Sequence, residues 1–406
     1  MLRRLSFILG LTFSLLFTQC AHNPVAPTAR ELTDLEKRLV ESDNKFGFKL
    51  FKEIVKAEKD KNVFISPLSV SMALGMTLNG ADGETKTAME QTLEFAGLTT
   101  DEINQSYKSL IELLTQLDPK VAFQIANSIW SRQGRTFEQE FLDVNRTYFD
   151  ALVRALDFSD PASVDVINSW VNENTNGKIK EILKSIDPST VMFLINAIYF
   201  KGTWTYEFDK ELTKDDFFNL PDGSQTPSKM MVQTNRFAYF ENDDFQAIDV
   251  PYGDEQFGMT IFLPRSSKDI DSLIEELIEQ DWTQWLASFS PDSVTLQFPK
   301  FKLEYEIKLN DVLTTLGMGI AFNGAADFTR MYKPGGLFID YVKHKTFVEV
   351  DEEGTEAAAV TVVAIVESAG GPEIKFMRVD RPFIFVIREN HSGTILFMGK
   401  IVEPQI

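Results

Sequence analysis

The chain has 406 residues, 40 Lys+Arg against 60 Asp+Glu, a formal net charge of −20, and 34 Phe within a 44% hydrophobic composition. So much aromatic content excludes an intrinsically disordered chain, and 22 Gly with 16 Pro exclude a collagenous or low-complexity one. The acidic balance argues against nucleic acid or a heparin-type polyanion as partner, because affinity for either comes from Lys and Arg.

Residues 1–19 read as a secretory signal. Arg3 and Arg4 give the charged start, and Leu5–Phe17 is an apolar run of 13 residues, too short to span a bilayer. A small-residue cleavage site is missing, but the segment stops at Cys20. This is the single cysteine, so no intramolecular disulfide forms. Signal followed by Cys is the layout of a bacterial lipoprotein, although Gln19 stands where a small residue is usual and Phe17 where Leu is. The expectation is an exported protein, either secreted or held in the cell envelope by lipidated Cys20. Residues 20–41, with Pro24 and Pro27, read as a tether, and 42–406 as one domain.

Within that domain Phe48, Phe51, Ile54 and Val55 share a helical face. Ile103, Tyr107, Leu110, Ile111 and Leu114 share another, after a Thr99-x-x-Glu102 capping box. Ile270, Leu273, Ile274 and Leu277 form a third stripe. Val294, Leu296 and Phe298 alternate with Thr295 and Gln297, a strand pattern. Phe383–Ile387 and Ile395–Met398 flank a turn containing Asn390, Ser392 and Gly393, a buried hairpin. The mixture is α+β.

Enzyme signatures are thin. The chain has three His, at 22, 344 and 391, and none of the H-E-x-x-H, C-x-x-C, P-loop or G-x-S-x-G patterns. Gly317-Met318-Gly319 lacks the third glycine of a dinucleotide fingerprint and reads as a helix-ending turn. His391 reads as a solvated turn residue, and His344, within the strand-like run Tyr341–Val350, as a hydrogen-bonded structural one. Asp351–Glu353 reads as a solvated strand end rather than a metal site. Asn104, Asn145 and Asn390 begin glycosylation-type triplets, which arise often by chance. No metal or cofactor is expected.

Residues 352–371, EEGTEAAAVTVVAIVESAGG, stand apart. One face by alternation carries Thr355, Ala357, Ala359, Thr361, Val363 and Ile365. The other carries Glu356, Ala358, Val360, Val362, Ala364 and Val366. Both faces begin with small side chains, which let a strand slip between two others. An ordinary central strand is the competing interpretation. Gly354 and the Gly-rich far end instead bracket the segment as a mobile unit.

Here the chain resembles the serpin family. Val350-Asp351-Glu352-Glu353-Gly354-Thr355-Glu356-Ala357-Ala358-Ala359 is similar to the hinge of a serpin reactive-centre loop. Asn62-Val63-Phe64-Ile65-Ser66-Pro67-Leu68-Ser69 and Asn196-Ala197-Ile198-Tyr199-Phe200-Lys201-Gly202-x-Trp204 resemble two further motifs. Pro299-Lys300-Phe301, Leu316-Gly317-Met318, Ala326-Asp327-Phe328, His344-Lys345, Asp380-Arg381-Pro382-Phe383 and Phe397-Met398-Gly399-Lys400 follow in the family's order.

The resemblance implies three β-sheets, about nine helices and a metastable native state. It implies a monomeric suicide inhibitor of serine, or also cysteine, proteases. The cleaved loop would insert into the largest sheet and distort the acyl-linked protease. Counting 14 on from Gly354, or 13 back from Arg381 as in similar serpins, gives Ser368-Ala369 as the reactive bond; Val366-Glu367 and Glu367-Ser368 remain open. No Lys or Arg stands near it, so an elastase-like target is expected rather than a trypsin-like one. Ser66, Ser69, Asn196 and His344 match the polar cluster where the central strands part, Trp204 the aromatic beneath the point where the loop enters, and Lys300 with Glu352 an ion pair there. Val360 replaces a common Ala of the hinge. A non-inhibitory carrier or folding helper is the alternative, disfavoured by Thr355 and the Ala357, Ala358, Ala359 run; a hydrolase is disfavoured by the scarcity of His.

Overall fold

A computed structural model describes residues 30–276, 286–355 and 374–405. The signal segment, Cys20, Leu277, Val360, Ala357, Ala358, Ala359 and the Ser368-Ala369 bond lie outside these residues. In chain order the helices are α1 (Asp34–Ala57), α2 (Pro67–Leu78), α3 (Gly83–Thr92), α4 (Thr100–Leu114), α5 (Gln139–Phe149), α6 (Ala162–Asn174), α7 (Ile270–Glu276) and α8 (Asn310–Leu313). The strands are β1 (Val63–Ile65), β2 (Val121–Arg132), β3 (Leu152–Leu156), β4 (Met192–Thr203), β5 (Lys214–Asn219), β6 (Gln225–Glu241), β7 (Phe245–Tyr252), β8 (Phe257–Pro264), β9 (Ser290–Pro299), β10 (Phe301–Lys308), β11 (Lys343–Val350), β12 (Gly354–Thr355), β13 (Lys375–Arg378), β14 (Phe383–Glu389) and β15 (Ile395–Ile401).

The tether ends earlier than the sequence reading placed it. Thr33 and Glu36 form a capping box: the Glu36 N–H donates to Thr33 Oγ1 at 3.3 Å, and the Thr33 N–H to Glu36 Oε2 at 2.7 Å. Two orphan N–H groups of the first turn are thereby satisfied. Helix α1 therefore starts at Asp34, and Leu39 and Val40 are already buried in the core. Residues 34–41 are helix rather than tether. The same box at Thr99 and Glu102 opens α4 as expected.

The α+β architecture is the expected one. A six-stranded sheet has the order β10-β11-β12-β4-β2-β3. A nine-stranded one runs β1-β15-β14-β8-β7-β6-β9-β13, with β5 also on β6. The second has two halves tied by one strand. The 17-residue β6 pairs with β5 and β9 along most of its length, and with β7 over Ala238–Glu241. Three strand groups thus form two hydrogen-bonded networks. The buried hairpin is β14–β15, and Val294, Leu296 and Phe298 of β9 are fully buried. Gly317 has φ +115° and ends the helical run that α8 begins, a conformation that favours glycine.

Helix α2 touches β4 of one sheet and β15 of the other, so the main core closes around it. Phe64 stacks on Phe385 and Phe397 at 5.6 and 5.2 Å between centroids. Helix α6 lies outside, over β2 and β4, with its own small core of Trp130, Phe158, Ile167, Val171 and Phe193.

Candidate functional site

The hinge begins where β11 ends. Asp351 Oδ1 accepts the N–H groups of Glu353 (3.0 Å) and Gly354 (3.3 Å), an Asx turn that folds the chain back. Gly354 then lies against β4: a Cβ here would sit 2.1 Å from the Gly202 carbonyl oxygen. Only glycine fits without moving the strand. Thr355 follows, buried, with its hydroxyl 2.7 Å from the Tyr252 hydroxyl. Its side chain faces the core, as the alternation places it.

Trp204 holds the turn from below. It stacks on Tyr252 (4.4 Å, 11°), donates from Nε1 to the Asp351 carbonyl at 3.0 Å, and its backbone N–H donates to the Glu353 carbonyl at 2.9 Å. Lys300 Nζ donates to Glu352 at 2.5 Å, and Thr213 Oγ1 donates to the same carboxylate at 2.8 Å. Burial alone would raise the Glu352 pKa; the Lys300 and Thr213 hydrogen bonds outweigh it and hold the carboxyl below its usual range. Lys210 pairs with Glu353. Asp351–Glu353 is therefore not a solvated strand end. Glu352 is buried, and Asp351 and Glu353 are half-buried and bonded into the turn.

β12 is wedged between two strands. It pairs antiparallel with β11 (Val350↔Thr355) and antiparallel with β4 (Gly354↔Thr203, Thr355↔Gly202), so β4 and β11 are parallel to each other. Among the described residues no ladder joins β4 to β11. A cavity of about 470 Å³ lies farther along, lined by residues 191–198 around β4, 343–346 of β11, and Ser66 and Ser69 of the α2 start.

The polar cluster sits in this cavity wall. His344 Nε2 accepts the Ser66 N–H at 2.9 Å. Burial drops the imidazole pKa to about 4, so the ring is neutral and keeps its acceptor. Ser66 Oγ donates to the Leu396 carbonyl (2.7 Å) and accepts the Ser69 N–H (3.3 Å), capping α2. The structure thus brings Ser66, Ser69 and His344 into one network. Asn196 lines the same cavity but bonds elsewhere: its Nδ2 donates to Asn127 Oδ1 at 2.8 Å, and its Oδ1 is buried without a partner among the described residues.

The remaining polar motifs are structural. Asn145 and Asn104 are buried, with Nδ2 donating to the Phe141 carbonyl and to Asn79 Oδ1 respectively, so neither offers an accessible amide. His391 is exposed and contacts the Arg30 carbonyl at 2.7 Å. Tyr252, Thr213 and Asn127 are the site residues that sequence reasoning missed. Their partners lie 103, 139 and 69 positions away, beyond any local pattern.

The sequence profile of the family described as Serpin (serine protease inhibitor) matches residues 41–404. An uncharacterised serpin-like protein of Thermococcus kodakarensis is 36% identical over 374 residues, 91% of this chain and 87% of its own. The leukocyte elastase inhibitor of Sus scrofa is 36% identical over 384 residues, covering 91% of this chain and 100% of its own. The thermophilic serpin tengpin, solved in its native state, matches with a TM-score of 0.84 at 32% identity, covering 93% of this chain and 96% of that one. A parted sheet with a strand just begun between its central strands, in a chain alike to these proteins along its length, has one family explanation: the chain belongs to the serpins.

Proposed function

We propose that the chain is a suicide inhibitor of serine endopeptidases with elastase-like specificity, acting by insertion of its cleaved loop between β4 and β11. The observation that carries this is the register of β12. Thr355 faces Gly202 on one side and Val350 on the other. Continued without a slip, that register sets Thr361 between Asn196 and His344, and Ile365 opposite Met192, where β4 begins. Thr361 then arrives where the Asn196 oxygen lacks a partner among the described residues. The face leading with Thr355 turns Ala357, Ala359, Thr361, Val363 and Ile365 toward the core, and none of these is charged.

In the proposed reaction the protease hydroxyl attacks the Ser368 carbonyl carbon. The Ser368-Ala369 bond breaks, Ala369 leaves as the new amine carrying the proton, and an ester joins Ser368 to the enzyme. Insertion then competes with hydrolysis of that ester. About ten new backbone hydrogen bonds at roughly 1 kcal/mol each supply on the order of 10 kcal/mol. That matches the whole net stability of an ordinary domain, about 5–15 kcal/mol. Residues 354–374 contain no Lys or Arg, and a small uncharged Ser368 suits a shallow apolar pocket. One relative's name, leukocyte elastase inhibitor, supports the same class.

The test is a denaturing gel after mixing with an elastase-type protease. The expected result is an SDS-stable band at the summed mass. Clean loop cleavage with no such band across elastase-type and cysteine proteases overturns inhibition and leaves a carrier or folding helper.

A further inference from the structure

Away from the insertion site, three oxygens meet in the core between α1, α2 and α4. Ser71 Oγ lies 2.5 Å and Tyr107 Oη 2.8 Å from the same oxygen of Asp43, Oδ1, and the two hydroxyls lie 2.7 Å from each other. Asp43 Oδ2 has no partner among the described residues. Ser71 and Tyr107 are fully buried and Asp43 nearly so, at 3% exposure. Phe95 and Phe149 close over the Tyr107 ring at 6.2 and 5.4 Å. The polar groups facing the carboxyl are Ser71 from α2 and Tyr107 from α4; among the described residues no charged side chain acts on it.

Three mutual contacts need three protons. Two neutral hydroxyls supply two. With an ionised carboxylate both hydroxyls donate to Oδ1, and two hydroxyl oxygens then face each other at 2.7 Å with no proton between them. A negative oxygen, Oδ2, is also left buried without a donor, an arrangement costly on both counts. A proton on Oδ1 completes a one-way ring in which each oxygen donates once and accepts once.

We propose that Asp43 is a protonated carboxylic acid in the folded protein, closing a ring with Ser71 and Tyr107 that fastens α2 to α1 and α4 and opens as the pH rises past neutrality. Desolvation agrees, pushing this carboxyl up to about 7 against the two hydroxyl hydrogen bonds. A folded-state value above the unfolded one stabilises the fold at low pH, and the contribution is lost as pH rises from about 4 through about 7.

Infrared difference spectroscopy of the whole protein reads the proton directly. The expected result is a protonated-carboxyl band at pH 6 that bleaches by pH 8 and is absent from Asp43→Asn. Tyr107→Phe, which removes a donor to the carboxylate, keeps the carboxyl and moves the bleaching to higher pH; it serves as the assignment if Asp43→Asn fails to fold. At a fixed scan rate the melting temperature of the wild type falls between pH 5.5 and 7 by about 2 °C more than that of Asp43→Asn. No Asp43-dependent band at pH 6, or a band unchanged to pH 9, overturns the ring as a pH-opened fastening.

Discussion

At the residue scale, Thr355 is the most informative position in the molecule. It is 4% exposed and bonded to a Tyr252 hydroxyl that is itself fully buried. Thr355→Arg would place a guanidinium in this space, and burying an unpaired charge costs several kcal/mol. The expected outcome is conversion from inhibitor to substrate: the loop is cut at the same bond, and the SDS-stable complex drops at least tenfold relative to cleavage. Undiminished complex formation by the variant would refute insertion led by this residue. The inward face of Thr355 was legible in the sequence because strand alternation needs only neighbours. Tyr252 was not, because the residue that seats Thr355 comes from a strand 103 positions earlier and carries no pattern linking it to the hinge. Asp351 and Glu352 misled for a related reason. Three consecutive acids look solvated, and only the fold delivers Lys300 and Thr213 to bury one of them.

At the element scale, the hinge turn is a clamp whose strength depends on one ion pair. The Glu352 side chain is 6% exposed and that of Lys300 30%. Breaking such a pair from one side leaves the other charge half-buried, a cost of about 2 kcal/mol at this exposure. Glu352→Gln should therefore lower the denaturation midpoint at pH 7. The sign with pH follows from the depressed carboxyl pKa. Stabilisation by Glu352 is present above the unfolded value of about 4.5 and is lost as pH falls through the folded one. Midpoints of wild type and variant should converge below about pH 4.5; a deficit that is absent at pH 7, or that widens in acid, contradicts the clamp. Element-level features came through the sequence unevenly. The capping box at Thr99 and the β14–β15 hairpin were legible because caps and hairpins are local. The box at Thr33 carries the same signal, but the prolines at 24 and 27 drew the boundary past it. That β6 would tie two strand groups together was invisible, since register between distant strands is set by packing.

At the scale of the whole molecule, the six-stranded sheet presents an unfinished structure. β4 and β11 flank a two-residue strand, a cavity of about 470 Å³ continues its line, and one buried amide oxygen there has no partner among the described residues. Joined at both ends, the loop cannot fill that line without dragging β13 away from β9, to which Lys375–Arg378 are paired. Arg378 is further fixed by ion pairs to Asp216 and Asp380, both at 2.8–2.9 Å. A single cut in the loop removes the restraint. Cleavage by a non-target protease, with no acyl-enzyme involved, should then let the strand insert and stabilise the fold. Gains on the order of 10 kcal/mol, at about 1.3 °C for each in a chain this large, correspond to a rise in melting temperature of roughly 13 °C. Scanning calorimetry of intact and cut protein checks this, with a denaturing gel to verify that the loop was nicked. Coincident melting of the two forms would mean that the sheet does not accept the strand. A rise that survives Thr355→Arg undiminished would mean that the gain comes from somewhere other than insertion through the hinge, because the guanidinium blocks the first inward position along β4.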